Sequence, residues 1–312
     1  MAGDMVFINR LLASPNGWKI LIQDRIEKAL KETGVKNVTL YPDKDLAKNF
    51  HAYECAKFVL YSMHWLLLNN DAILKTGDKL IFLEVYQMPI FQMIYGGLAN
   101  FNTEVLIHCS YDVSKFKPFD SSQTILEYSK VMPNKIFQTK ATADTYGETI
   151  GRNKIIGGFL NRFEMCKKEK YVLWTGYRVG DETKDYNKFL QIVKNNSHIK
   201  FVACLNQKID SGNYSNLEVR TGLDSYEFVD VCKKAKYVLS TSKSDSFSYS
   251  LFDAISFGAI PLVTDLLQHR EWIPEKFIYK DTPDFELKAE PEEMKKIVDY
   301  HYYADTFMRL IS

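Results

Sequence analysis

The chain predicts an α/β fold of two facing sheet domains, and three observations lead there. Short apolar strands alternate with amphipathic helical stretches through both halves, a polar and charged stretch separates the halves, and 312 residues are enough for two separate cores.

In chain order, Met5–Asn9 reads as a strand, and Ala13–Gly17 is a loop of turn formers. Trp18–Thr33 repeats apolar residues at Ile22, Ile26 and Leu30, and Gly34 ends that helix as a C-cap would. Val38–Tyr41, Lys79–Glu84, Glu104–His108 and Ile136–Thr139 are further strands, with helices near His51–Asn69 and after Pro89. Ile155–Gly158 closes the half on a glycine pair, and Asn161–Lys170 suits a linker. Tyr171–Thr175 restarts the alternation. A helix through Leu190 and Val193, strands at Lys200–Ala203 and Glu218–Arg220, a helix near Tyr226–Lys234 and a strand from Tyr237 follow. The expected domains are 1–165 and 166–290, with 291–312 a helical segment that has the option of crossing back to the first domain.

Composition narrows the function classes. A hydrophobic fraction of 46% and a charged fraction of 25% describe an ordinary soluble globular protein. A net charge of +1 predicts no general attraction to nucleic acid or membrane. The five cysteines, at 55, 109, 166, 204 and 232, lack a C-x-x-C pair and read as reduced thiols of a cytoplasmic protein. No signal peptide is visible, and the longest apolar run, Phe58–Leu68, is too short for a membrane span.

The most informative segment runs from Ser242 to Asp265. Asp245 and Asp253 stand eight positions apart across a helix start, which returns them close to one helical face. Ser246, Ser248 and Ser250 crowd that helix N-terminus, where unpaired N–H groups favour an anion such as a phosphate. The same spacing also suits a capped helix with solvated acids. The flanking strands, ending at Leu239–Ser242 and leading out through Gly258–Asp265, put the acids at the carboxyl edge of a parallel sheet, where such folds bind ligands.

From about Lys170 to Thr264 the second half resembles the donor-binding domain of GT-B glycosyltransferases, most of all glycosyltransferase family 4. That family carries E-x-F-G-x-x-x-x-E-A, and this chain reads Asp245-Ser-Phe-Ser-Tyr-Ser-Leu-Phe-Asp253-Ala254. Both acids are Asp, each retracting its carboxylate by ~1.5 Å, and Ser248 replaces the glycine after Phe247. Gly176-Tyr-Arg178 and the downstream Lys184 resemble the cations that hold the donor diphosphate, and fixed cations stabilise a departing diphosphate without proton transfer. Thr221-Gly222-Leu223 resembles the loop that lines the nucleotide base.

The resemblance implies a retaining, metal-independent enzyme with two Rossmann-like domains. No cofactor is implied beyond a nucleotide-sugar co-substrate. Asp245, His108, Arg178 and Lys184 would be catalytic, with Asp245 beside the sugar ring and His108 at a strand end facing the transferred sugar. Arg178, Lys184, Gly222, Ser246, Phe247, Ser248 and Asp253 would bind donor, with Asp253 on the ribose hydroxyls. Gly17 would also bind donor, in a loop placed like the family's glycine-rich one near the donor phosphate and acceptor, although it is the loop's single glycine; a lone strand-end His such as His108 is also a common structural residue. No metal site is expected, since Asp43-Lys-Asp45 follows Pro42 in a loop of the wrong domain to act as a metal-binding D-x-D pair.

The first half, which would choose the acceptor, carries little recognisable sequence. One candidate acceptor is a hydroxymethylated pyrimidine in DNA, of the kind phage enzymes glycosylate, with Lys115, Phe116, Lys117 and Phe119 as a candidate contact surface. A soluble saccharide, a protein or a lipid remains the alternative, as do a GT-B epimerase or phosphorylase and an inactive nucleotide-sugar-binding module.

Overall fold

The computed structural model describes residues 6–9, 18–41, 79–82, 102–107, 134–145, 152–176, 179–180, 182–209 and 214–312. The chain forms two compact units, one comprising residues 1–156 with 307–312, the other residues 157–306.

In the first unit, β1 (Val6–Asn9), β2 (Val38–Tyr41), β3 (Lys79–Phe82), β4 (Asn102–Ile107), β5 (Asn134–Phe137) and β6 (Arg152–Ile155) form a sheet in the order β2-β1-β3-β4-β5-β6, every pair parallel. Helix α1 (Trp18–Thr33) buries Ile22, Ile26 and Ala29 at helical spacing. It ends where Gly34 adopts φ 66°, its N–H on the Leu30 carbonyl at 3.2 Å, a conformation open to glycine at little cost. The short helix α2 (Lys140–Thr145) starts at Thr139, whose hydroxyl accepts the Thr142 N–H at 3.0 Å.

The first sheet also holds a buried charge cluster. Glu104, 5% exposed on β4, lies 3.1 Å from Lys79 of β3 and 3.3 Å from Lys154 of β6. Both lysines also donate to carbonyls near the end of the chain, Lys79 to Ile311 and Ser312 at 3.1 Å each and Lys154 to Leu310 at 2.8 Å. The final helix is thus stitched to this sheet by its own unsatisfied C-terminal carbonyls.

The second unit repeats the architecture. Strands β7 (Glu169–Trp174), β8 (Lys200–Leu205), β9 (Leu217–Thr221), β10 (Ala235–Ser240), β11 (Ile260–Thr264) and β12 (Ile278–Tyr279) give the order β12-β11-β10-β7-β8-β9, again all parallel. Helices α3 (Tyr186–Asn195), α4 (Ser225–Lys234), α5 (Tyr249–Ser256), α6 (Leu267–Trp272), α7 (Pro291–Asp299) and α8 (Tyr303–Ile311) complete the chain. The amphipathic α3 buries Phe189, Ile192 and Val193, each contributing roughly 1.5–3 kcal/mol by leaving water. Phe189 stacks on Trp174 at 4.5 Å between ring centroids and 11° between planes. Helix α5, by contrast, is buried on nearly every side, and its sequence is correspondingly apolar.

Of residues 161–170, read from sequence as a linker, 161–168 have no regular structure but pack on the end of α5, and the last two already belong to β7. The Glu164 and Cys166 N–H groups donate to the Ser256 and Phe257 carbonyls at 2.8 and 3.3 Å. Lys168 donates to the carbonyls of both Lys233 and Phe257, capping two helix C-termini at once, and burial lowers its pKa to about 8. Among the described cysteines, Cys166, Cys204 and Cys232 are free thiols, and burial pushes Cys204 up to about 12. No described helix is long and apolar enough to cross a membrane.

Candidate functional site

Strands β7 and β10 are parallel neighbours in register, Val172 opposite Tyr237 and Trp174 opposite Leu239, so the loops that follow them leave the same carboxyl edge side by side. The loop after β7 passes through Gly176 and a 3-10 turn at Glu182–Lys184 before α3. The loop after β10 runs from Thr241 to Ser248 before α5.

Several contacts tie these loops together. The Thr241 hydroxyl donates to the Lys184 carbonyl at 2.6 Å and accepts the Trp174 indole N–H at 2.9 Å. The Lys243 N–H donates to the Thr183 carbonyl at 2.7 Å, and its ammonium lies 3.0 Å from Asp185. Asp185 caps α3 by accepting the Lys188 N–H at 3.2 Å while held at φ 47°, the one positive φ outside glycine among the described residues. Such left-handed geometry costs an L-residue roughly 1–2 kcal/mol, and it directly follows the lysine it positions.

The result is that Lys184 Nζ sits 2.7 Å from Asp245 Oδ2, although the two are 61 residues apart in sequence. The Ser248 hydroxyl donates to the same oxygen, and the Ser246 N–H donates to Oδ1 at 3.0 Å. Ser248 occupies the N-cap position of α5 yet makes no side-chain cap bond, because its hydroxyl goes to the carboxylate instead. Burial pushes the Asp245 pKa up, but the Lys184 charge and hydrogen bond and the Ser248 hydroxyl outweigh it and hold the carboxyl below its ordinary value. The side chains of Lys184 and Asp245 keep 25% and 11% of their surface exposed, so the pair borders solvent rather than lying in the core.

The other sequence-predicted residues fall in several places. Gly176 has a steric reason to be glycine, since a Cβ there would stand 2.1 Å from the Trp174 ring. Gly222, at φ 74° after β9, would place a Cβ in open space, so its glycine answers to the backbone conformation alone. Asp253, at the fifth position of α5, is 1% exposed. Phe247 is interior, stacked on Phe252 at 4.4 Å and edge-on to His301 at 4.9 Å, and a Cβ on Gly158 would meet its ring at 2.2 Å. It anchors the start of α5 against the rest of its unit. Arg178, His108 and Gly17 lie outside the described residues, as do Asp43, Asp45 and the segment from Lys115 to Phe119.

The sequence reading did not single out His269. It is 2% exposed on α6, its Nδ1 is 2.8 Å from the Thr264 carbonyl, and burial holds its pKa below the ordinary value, with Asp245 opposing and Lys184 adding to the shift. Its place just beyond β11, the neighbour of β10 in the sheet, was the available signal.

Chemically, the arrangement offers an ammonium for an anionic oxygen and a fully ionised carboxylate for hydroxyl groups, at the edge where parallel sheets take nucleotides. No family model and no curated protein matches the chain by sequence. Solved structures do resemble it. The apo form of the lipopolysaccharide outer core galactosyltransferase WaaB aligns at 12% identity with a TM-score of 0.64, covering 98% of this chain and 98% of that one. An alpha,alpha-trehalose-phosphate synthase (UDP-forming) from Burkholderia xenovorans, in complex with glucose-6-phosphate, aligns at 9% identity with a TM-score of 0.58, covering 99% of this chain and 95% of that one. A GtfA/B complex aligns at 12% identity and TM-score 0.55 over 81% of this chain, which spans 59% of the length of that one. The likeness establishes the fold: two Rossmann-like α/β units as in the GT-B glycosyltransferases.

Proposed function

We propose that the chain is a retaining, metal-independent glycosyltransferase that moves a sugar from a nucleotide-sugar donor to an acceptor hydroxyl in the cytoplasm. The observation that carries this reading is the Lys184–Asp245 contact at the carboxyl edge of a parallel sheet in a GT-B fold. Lys184, together with Arg178, takes the donor diphosphate and stabilises the charge that develops as the glycosidic bond breaks. Asp245, freed from the lysine, accepts hydrogen bonds from hydroxyls of the transferred sugar, and Asp253 serves the ribose. The acceptor hydroxyl approaches the face that the diphosphate leaves and passes its proton to a diphosphate oxygen, so no protein base is required. By the resemblance, Ser246, Ser248, Gly222 and Gly17 line the donor side, and His108 faces the transferred sugar.

For the acceptor, the lead from sequence is a hydroxymethylated pyrimidine in DNA. The two-way coverage with a lipopolysaccharide core galactosyltransferase favours a second reading, a saccharide hydroxyl. Incubating the protein with a panel of UDP-, GDP-, ADP- and TDP-sugars and measuring nucleoside diphosphate release tests the donor chemistry. Repeating this with duplex DNA carrying 5-hydroxymethylcytosine, and with core oligosaccharides, separates the acceptors. Release that survives intact in a Lys184→Ala variant would remove the assignment, and binding without any release would leave a nucleotide-sugar-binding module.

A further inference from the structure

The Lys184–Asp245 contact raises a charge problem that the proposed reaction must solve. If Lys184 turns to a diphosphate, Asp245 stays in a mostly buried position without its cation, and an uncompensated buried carboxylate is costly. His269 is built to respond. A carbonyl oxygen only accepts, so the Nδ1 facing the Thr264 carbonyl at 2.8 Å carries a proton, and in the neutral ring Nε2 is a bare lone pair. That Nε2 is buried and has no hydrogen-bond partner, a costly state for a polar atom that calls for an explanation. The ring is also fixed to the loop that carries Asp245, because the Thr264 hydroxyl donates to the Ser242 carbonyl at 2.6 Å.

We propose that His269 is a positioning residue of the donor site: when Lys184 leaves Asp245 for the donor diphosphate, Nε2 takes a proton from solvent and the imidazolium becomes the counter-cation of Asp245. This rests on the glycosyltransferase reading given above.

The charges around the ring support this direction. Burial holds the imidazole below its ordinary pKa, opposed by the Thr264 carbonyl and by Asp245, while Lys184 adds to the lowering and Asp265 opposes it. Asp265 is itself paired with Arg270 through two hydrogen bonds, so its influence stays constant. Among the described residues, withdrawing Lys184 therefore removes the cation acting against protonation and leaves the Asp245 carboxylate acting for it. Donor binding and proton uptake become linked.

Two measurements decide the matter. In the ligand-free protein, an NMR pH titration of His269 should show its pKa raised by Lys184→Met, and an unchanged or lowered value overturns the proposal without reference to any substrate. In calorimetry, the UDP-sugar or other nucleotide sugar that binds should do so with net proton uptake near neutrality, detected as a dependence of the binding enthalpy on buffer ionisation. Its affinity should rise as pH falls from 8 toward 6. In His269→Gln the uptake should vanish and affinity at neutral pH should drop about tenfold, the worth of one pKa unit. Uptake that persists in His269→Gln overturns the proposal. Should no nucleotide sugar bind, or should one bind Lys184→Met as well as the wild type, the glycosyltransferase reading fails, and the titration still judges His269.

Discussion

Each unit carries a lysine–carboxylate cluster, and the two differ in where they stand along the strands and in what else their lysines hold. Glu104, Lys79 and Lys154 lie within the first sheet, Lys79 at the start of β3, with side chains 6–11% exposed, and both lysines are committed to carbonyls of the last helix. Lys184 and Asp245 stand past the carboxyl ends of β7 and β10 and border solvent, and among the described residues the amine donates to the Asp245 carboxylate. On the proposed function, position relative to strand direction separates an ion pair that holds the fold from one that is exchanged for a ligand. A count of salt bridges would treat them alike.

The comparison breaks most visibly at the lysines. Lys184→Met should lower nucleoside diphosphate release by about a hundredfold or more, as loss of a group aimed at developing charge does. Lys154→Met should leave release per folded molecule unchanged. Equal losses in both would erase the distinction.

Stability should rank the clusters the other way. Glu104→Gln removes the shared counter-charge of two nearly buried lysines and should cost about 3–5 kcal/mol in urea unfolding. Asp245→Asn, at a site that borders water and keeps its hydroxyl and amide neighbours, should cost about 1–2 kcal/mol.

Overpacking comes next. Gly176→Ala drives a methyl into the Trp174 ring and should cost about 1–3 kcal/mol, with a shift in tryptophan fluorescence reporting the displaced indole.

The smallest effects are in pH, where the clusters respond at opposite ends. The folded Asp245 pKa lies below its unfolded value of about 3.9, so its stabilisation is complete above that value and is lost as pH falls through the lower, folded one. The stability gap between wild type and Asp245→Asn should narrow in acid; a widening gap would contradict the sign. Burial lowers Lys154 to about 8, with Glu104 opposing, so the unfolded chain binds more protons between about 8 and the ordinary lysine value of 10.5. Lys154 therefore adds to stability as pH rises through that window, and Lys154→Met should abolish this increment.

Much of the fold could be read from local pattern. Trp18–Thr33 and Val38–Tyr41 have the bounds that periodicity and Gly34 predict, and the strand, loop, helix, strand run from β10 to β11 follows from its apolar stretches and Gly258. Strand β6 escaped because Arg-Asn-Lys-Ile looks polar; Lys154 is tolerated inside only because Glu104 waits across the sheet. Strand order was beyond reach, since it depends on pairings between distant segments. The site divides the same way. Residue type and family likeness pointed to Lys184, Asp245 and Ser248, but the contact among them arises from the neighbouring of β7 and β10. Phe247, expected on the donor side by resemblance, is packed against Phe252 instead, and sequence spacing cannot distinguish a ring that stacks inward from one that faces a ligand. His269 was invisible for a comparable reason: its burial and its bare nitrogen exist only in three dimensions.

The stitched final helix bears on how the molecule can be taken apart. Because residues 307–312 belong to the same compact unit as residues 1–156, a gene fragment stopping at Ile156 would lack six residues of that unit and strip Lys79 and Lys154 of their carbonyl partners. An isolated first half should be expressed as a permuted chain, with the terminal hexapeptide fused by a short linker ahead of residue 1 or behind residue 156.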